Sequence, residues 1–326
     1  MPWKFGKIPQ RKKEEKMRRK YAALPLLAVV LLCLAAFSGC GDSGGGTEPA
    51  EESLLFTDDL GREVSLEGVP ERIVSASPAC TEILFALGLG DRVVGVTDYC
   101  DYPPEARSKP SIGTFSSPNT ETILAQEPDL VLATGLEQLE FLGRMDEMGI
   151  PTYAVNPNSF DQTLATILEI GEITGAAGSA QDIVAEMNAR AVDIARAVSA
   201  AEAEGKERPR VFYEIFYENN AWTAGSGSII SDLVRMAGGE NIGDADSSGY
   251  YEFSAERLIA ENPQVYLVGS GSMFDPGDIT ARSGWERIDA VKNGRVYTID
   301  ENLVYRTGPR LIEGLEAMHA ALYPED

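Results

Sequence analysis

From Thr57 onward, short apolar runs alternate with longer segments whose apolar positions recur every three to four residues. The runs at 72–77 (RIVSAS), 92–97 (RVVGVT), 129–134 (DLVLAT) and 151–156 (PTYAVN) predict strands, with helices between them at 80–88, 119–127 and 137–149. A second set repeats the scheme, with strands at 210–216, 264–269 and 295–300 and helices at 228–239, 254–263 and near 309–323. Such alternation calls for parallel sheets covered by helices, because a parallel connection needs a crossover long enough to hold one. Residues 160–205 separate the two sets and carry no strand signal. They predict a helix broken near Thr174–Gly178 and then one long amphipathic helix from Ser179, about 25 residues or about 40 Å. The predicted fold is therefore α/β: two lobes with mostly parallel sheets, joined by one long backbone helix, with a ligand cleft between them. A single helical connector permits rocking rather than wide closure.

The two sets also resemble each other. Glu121-Thr-Ile-Leu-Ala-Gln-Glu-Pro128 lines up with Glu256-Arg-Leu-Ile-Ala-Glu-Asn-Pro263, and Glu, Ala (Ala125, Ala260) and Pro recur at one offset of 135 residues. Farther on, residues 142–155 resemble 285–299. One lobe reads as a distant copy of the other.

The N-terminus breaks this pattern. Residues 1–20 hold nine basic and two acidic residues, and residues 21–39 hold no charge. The apolar run ends in Phe37-Ser38-Gly39-Cys40 and passes into a Gly/Ser/Glu-rich stretch. This resembles a bacterial lipoprotein signal, in which Cys40 is lipidated and the preceding segment removed; an uncleaved signal anchor is the other reading. Met17 would make a more typical start, leaving residues 1–16 as an extension. The expected organisation is a signal peptide at 1–39, a flexible tether at 40–56, a first lobe at 57–158, a connecting segment at 159–208 and a second lobe at 209–326. Either reading of the leader places the lobes outside the cytoplasm.

From Cys40 on there are 19 basic and 49 acidic residues, a net of −30. A body this acidic repels nucleic acid, which is bound through clustered cations. Two cysteines remain for the lobes, Cys80 and Cys100, each just beyond a predicted strand. In an oxidising compartment a disulfide between them is the favoured expectation, with two buried thiols as the alternative.

Catalytic chemistry is sparse. The single histidine, His319, sits in the last helix pattern and reads as a helix-surface or core residue. No Ser-His-Asp arrangement, histidine zinc site or P-loop can be assembled, so neither an enzyme nor a resident metal or cofactor is expected.

The segments Val74-Ser-Ala-Ser-Pro-Ala-Cys-Thr-Glu-Ile-Leu-Phe-Ala-Leu-Gly88, Val94-Gly-Val-Thr-Asp-Tyr-Cys-Asp-Tyr-Pro-Pro104, Glu127-Pro-Asp-Leu-Val131 and Tyr305-Arg-Thr-Gly-Pro-Arg-Leu311 resemble ABC-transporter solute-binding proteins of the cobalamin, ferric-siderophore and haem class. The Asp-Tyr-Cys-Asp-Tyr-Pro-Pro segment is most similar to the cobalamin binders. The resemblance implies an extracytoplasmic, lipid-anchored and monomeric protein. It would hand a small molecule to an ABC permease dimer with its ATPase subunits. It places the pocket on Ala79, Tyr99, Phe115, Trp222, Tyr250 and Arg306. It makes Glu121 and Glu256 docking residues, one per lobe. Residues 219–225 read as a polar turn that holds Trp222, and Tyr250 reads as a loop residue ahead of the helix at 254–263. Phe115, Tyr250 and Thr134 stand where the cobalamin pattern has tryptophan.

Charge separates the ligands. A ferric catecholate is highly anionic and wants convergent arginines, of which Arg306 stands out, with Arg282 and Arg310 in reserve. Haem wants an axial ligand, for which Tyr99 or Met273 could serve. A corrinoid brings its own metal and needs only aromatic walls and hydrogen bonds. Cobalamin or a related corrinoid leads, a ferric siderophore or haem follows, and a surface α/β enzyme or adhesin-like domain is the reading of a different class.

Overall fold

A computed structural model of the protein describes residues 53–245, 249–270 and 276–324, apart from the side chains at 276–278. The predicted leader, most of the tether, Cys40 and Met273 lie outside the described residues. An antiparallel hairpin comes first, β1 (Leu54–Thr57) with β2 (Glu63–Leu66). The first sheet follows: β3 (Ile73–Ser75), β4 (Val93–Val96), β7 (Leu130–Thr134) and β8 (Thr152–Val155), all parallel in the order β4-β3-β7-β8. A short hairpin, β5 (Gly113–Thr114) with β6 (Ser117–Pro118), extends the turn beyond β4. The strands read as unbroken apolar runs because both faces are covered. On one face Val74, Val131 and Ala133 pack with Ile123, Phe141 and Met145. On the other, Ile73, Leu130 and Leu132 pack with Ile83, Leu84, Ile167 and Ile170.

The covering helices are α1 (Pro78–Ala86), α2 (Thr120–Leu124) and α3 (Leu139–Glu147). Ser77 caps α1 by accepting from the Cys80 amide, and Pro78 occupies the first turn, where no amide is needed. The connector is α4 (Phe160–Ile173) and then α5 (Ala177–Ala203), 27 residues long. The break between them turns on two glycines. Gly175 has φ +71°, and a Cβ on Gly171 would collide with that of Ala180. The two helices can approach only because position 171 has no side chain.

The second sheet holds β9 (Arg210–Tyr217), β10 (Ala221–Ala224), β11 (Glu240–Asn241), β12 (Tyr250–Phe253), β13 (Val265–Ser270) and β14 (Val296–Asp300). Its main path is β12-β10-β9-β13-β14, with β11 alongside β9. Strands β9, β13 and β14 are parallel, whereas β10 and β12 are antiparallel. Its helices are α6 (Ile229–Met236), α7 (Ala255–Glu261), α8 (Pro276–Ala281), α9 (Asp289–Lys292), α10 (Asn302–Tyr305) and α11 (Leu311–Leu322). Among the described residues no helix is long and apolar enough to cross a membrane.

The internal repeat is a repeat of structure. Asn119 and Ser254 cap α2 and α7 by accepting from the amides of Thr122 and Arg257. Each helix is followed by a left-handed residue before its proline, Glu127 at φ 47° and Asn262 at φ 46°. The next residues, Asp129 and Gln264, donate their amides to the carbonyls of Arg72 and Arg210 at the feet of β3 and β9. The copies diverge at the next strand: β4 is parallel to β3, while β10 returns as a hairpin from β9.

Two expectations are corrected. Residues 219–225 read as a polar turn, but Trp222 lies within β10, its ring stacked on Phe216 at 5.2 Å. Tyr250 likewise opens a strand rather than a loop. Cys80 and Cys100 do lie beyond neighbouring parallel strands, yet they form no disulfide and are two buried free thiols. The Cys100 sulfur is engaged instead by the hydroxyls of Thr81 and Thr97, each at 3.1 Å.

Candidate functional site

In an open α/β sheet, ligands meet the loops beyond the carboxyl ends of the strands. Here those ends of the two sheets face each other. Beyond β14, Arg306 reaches the first lobe and donates to the Tyr99 carbonyl at 3.3 Å and to Asp101 at 2.7 Å, both in the loop after β4. Tyr250 at the start of β12 is electrostatically coupled to Glu137, in the turn between β7 and α3. The cleft bounded by the Arg306 bridge and by the facing Tyr250 and Glu137 is the candidate site.

Its first-lobe wall is knitted together by Gln138. The buried side-chain amide donates to the carbonyls of Ala76 (2.9 Å) and Phe115 (2.7 Å) and accepts from the Thr134 amide (2.9 Å). One side chain thus holds the ends of β3 and β7 and the β5–β6 turn in fixed register, with Phe115 half-buried between them. Tyr99 is 55% exposed, Tyr250 42% and Leu136 62%. Exposed large apolar side chains on turns and strand ends that flank a cleft are what a flat, partly apolar ligand would cover.

Glu137 is solvent-accessible, yet burial pushes its carboxyl above the ordinary carboxylate value. Tyr250 behaves alike: burial, reinforced by the Glu137 charge, pushes its phenol up to about 12. The sequence pattern runs Glu137 and Gln138 into the helix at 137–149 and leaves Leu136 unassigned, whereas the structure sets Leu136–Gln138 in a separate turn ahead of α3. The available signal was Thr134-Gly135, where the strand pattern ends three residues before helix periodicity starts.

The other predicted residues fall as follows. Ala79 is buried in the first turn of α1, and a Cβ at Gly308 of the second lobe would stand 3.5 Å from its carbonyl oxygen. It lies where the lobes touch. Trp222 is half-buried on Phe216. Arg306 is not an unpaired cation: besides Asp101 it binds Glu82 at 3.1 Å, and its side chain is largely buried. Burial works to raise the Asp101 carboxyl, but the Arg306 hydrogen bond and charge, with Arg107, outweigh it and hold the group below its ordinary value. Arg310 also takes Glu82, at 2.6 and 2.9 Å, with its guanidinium over the Tyr102 ring. Arg282 is bound at 2.6 and 2.9 Å by Glu214, which is fully buried, and lies against the rings of Tyr217 and Trp285. All three arginines considered for an anionic ligand are therefore neutralised by carboxylates.

Glu121 and Glu256 are both exposed, each in the first turn of its helix. Two lobes of this topology around a cleft bear comparison with known proteins. Residues 73–303 match the periplasmic binding protein family.

The chain belongs to that family. It is 31% identical over 308 residues to an uncharacterized ABC transporter substrate-binding lipoprotein, YvrC, of Bacillus subtilis (strain 168), covering 91% of this chain and 96% of that one. A cobalamin-binding protein of Halobacterium salinarum is 30% identical over 272 residues, 80% of this chain and 71% of the relative. Among solved structures, the periplasmic heme-binding protein RhuT from Roseiflexus sp. RS-1 superposes with a TM-score of 0.70 at 26% identity, covering 78% of this chain and 98% of that one. This periplasmic binding protein is thus a solute-binding component of an ABC importer, of the class that handles vitamin B12, haem and siderophores.

Proposed function

We propose that the protein captures cobalamin or a related corrinoid outside the cytoplasm and delivers it to an ABC permease dimer with its ATPase subunits. In this reading the lobes are 57–158 and 209–326, joined by 159–208. A monomer is anchored through lipid on Cys40, and the ligand contacts come from Tyr99, Phe115, Trp222 and Tyr250, with Ala79 and Arg306 at the lobe contact. The observation that carries it is the pairing of the arginines. Arg306, Arg310 and Arg282 each hold a carboxylate. The accessible polar groups at the cleft include the Glu137 carboxylate and the Tyr250 phenol. A catecholate or a haem propionate would have to displace a buried carboxylate to gain a cation, at the cost of leaving that charge unpaired. A corrinoid, with a neutral amide periphery, gains acceptors for its N–H groups and apolar rings for its faces. The similarity to a cobalamin-binding relative supports the same choice. Haem is the second reading, favoured by the exposed Tyr99 side chain as a source of an axial ligand.

Calorimetry on residues 41–326 with cyanocobalamin, hemin and a ferric siderophore decides between them. Saturable one-to-one heat with cyanocobalamin is expected, together with quenching of tryptophan fluorescence through Trp222. Binding of hemin or the siderophore with none of cyanocobalamin would overturn the ligand assignment.

A further inference from the structure

Glu82 lies in the middle of α1, in the first lobe, and its side chain is 2% exposed. Its partners come from the second lobe, 224 and 228 residues away in sequence. One carboxylate oxygen accepts from Arg306 Nη1 at 3.1 Å and Arg310 Nη2 at 2.6 Å, and the other accepts from Arg310 Nε at 2.9 Å. The Arg310–Glu82 contact is bidentate, the geometry in which a guanidinium fixes orientation as well as distance. Arg306 then carries the constraint onward to Asp101 and to the Tyr99 carbonyl. Tyr102, in the same loop, lies under Arg310 at 3.8 Å. Gly308, between the arginines, lies directly against α1: a Cβ there would be in ordinary contact with that of Glu82, at 3.6 Å.

We propose that Glu82 is a positioning residue: through Arg306 and Arg310 it locks the two lobes at one separation and holds the loop that carries Tyr99 as a preformed wall of the cleft. Arg306 and Arg310 share Glu82 and Asp101, so both guanidiniums are matched by carboxylates while the cluster is closed. The connector α5 fixes the lobes on one side only. The Glu82 cluster is the second point, at the cleft, and two points define a separation where one defines a hinge. A preformed site avoids the ordering cost of closing on each ligand. The part of the proposal that concerns affinity rests on the corrinoid reading. The part that concerns lobe separation does not.

The test uses spin labels at Ala125→Cys and Ala260→Cys, exposed and equivalent positions at the C-terminal ends of α2 and α7. In the ligand-free parent a narrow distance distribution is expected. Glu82→Gln, which keeps the shape and loses the charge, should broaden it, and Arg310→Gln should broaden it less because Arg306 still holds Glu82. Cyanocobalamin affinity should fall about tenfold in Glu82→Gln, mainly through a slower association rate, while the protein stays folded by circular dichroism. A role confined to stability would lower the melting temperature and leave the distribution of the folded protein narrow, and that result overturns the proposal. If Glu82→Gln does not fold, the Arg310→Gln distribution decides alone, and an unchanged width overturns the proposal. Failure of the parent to bind cyanocobalamin would count against the ligand reading only, since the distances are measured without ligand.

Discussion

Cys80 and Cys100 show how much a residue's meaning depends on its neighbours. Sequence position placed both at strand ends, and this was correct. What sequence could not show is that Thr81 and Thr97 occupy the Cys100 sulfur. Burial pushes the Cys80 thiol up to about 12 and raises that of Cys100 as well, so almost no thiolate exists near neutrality. In a fragment comprising residues 41–326 these are the only cysteines. Native protein at pH 8 should react with neither equivalent of a thiol reagent over hours, and denatured protein should release two. Because both folded-state values lie above the unfolded one, stability is complete below about pH 8.5, the ordinary thiol value, and declines as pH rises beyond it. Failure to release thiol after denaturation without reductant would restore the disulfide. Arg306 teaches a similar lesson: its type was legible, but its partner Glu82 is 224 residues upstream, and a pairing at that distance leaves no local trace.

At the scale of elements, the strands at β3, β4, β7, β8, β9 and β13 were legible because each is a largely apolar run buried on both faces, whereas β14, at the sheet edge with only Ile299 buried, was legible from its β-branched and aromatic residues. Strands β10 and β12 were not. Ala-Trp-Thr-Ala and Tyr-Tyr-Glu-Phe are short and mixed, and their pairing with β9 and each other comes from the hairpin. The Glu218-Asn219-Asn220 turn before β10 was the one local cue. The repeat, in contrast, was read correctly from sequence and carries a prediction of its own. Glu127 and Asn262 occupy the same left-handed position, but with different compensation. Asn tolerates that region, and Asn262 Oδ1 accepts from the Asp289 amide at 2.7 Å. For Glu127 no equivalent side-chain bond is seen among the described residues, and the left-handed region costs a non-glycine residue about 1–2 kcal/mol. Glu127→Gly should therefore stabilise by up to about 1 kcal/mol, since glycine also loses more entropy on folding. Asn262→Gly should be neutral or destabilising, because it deletes the α9 contact. Denaturant unfolding of the two variants checks the contrast, which fails if both shift in the same direction by the same amount.

For the whole molecule the repeat has a geometric consequence. Glu121 and Glu256 sit at matching points of two lobes, exposed in the first turns of capped helices. A carboxylate at that place gains about 0.3–1 kcal/mol from the helix dipole, which accounts for either one alone. It does not account for a Glu retained at the same point of both copies while neighbours such as Thr122 and Arg257 differ. Two like charges, one on each lobe, match a partner that presents the same basic patch twice about a two-fold axis, as a dimeric permease does. Rim charges of this kind set orientation and association rate more than affinity. They also lie outside the Glu82 cluster and the Gln138 network, so neutralising them leaves the cleft intact. The double variant Glu121→Ala with Glu256→Ala should keep its ligand affinity and melt only a few degrees below the parent, since the two lost dipole contributions together amount to about 0.6–2 kcal/mol. Uptake in cells carrying the matching permease should fall at least tenfold, with each single variant intermediate. The gap between parent and double variant should narrow as ionic strength rises, since the attraction the glutamates supply is screened over about 8–10 Å. Normal uptake by the double variant, or loss of ligand binding in place of uptake, would remove these glutamates from the docking surface.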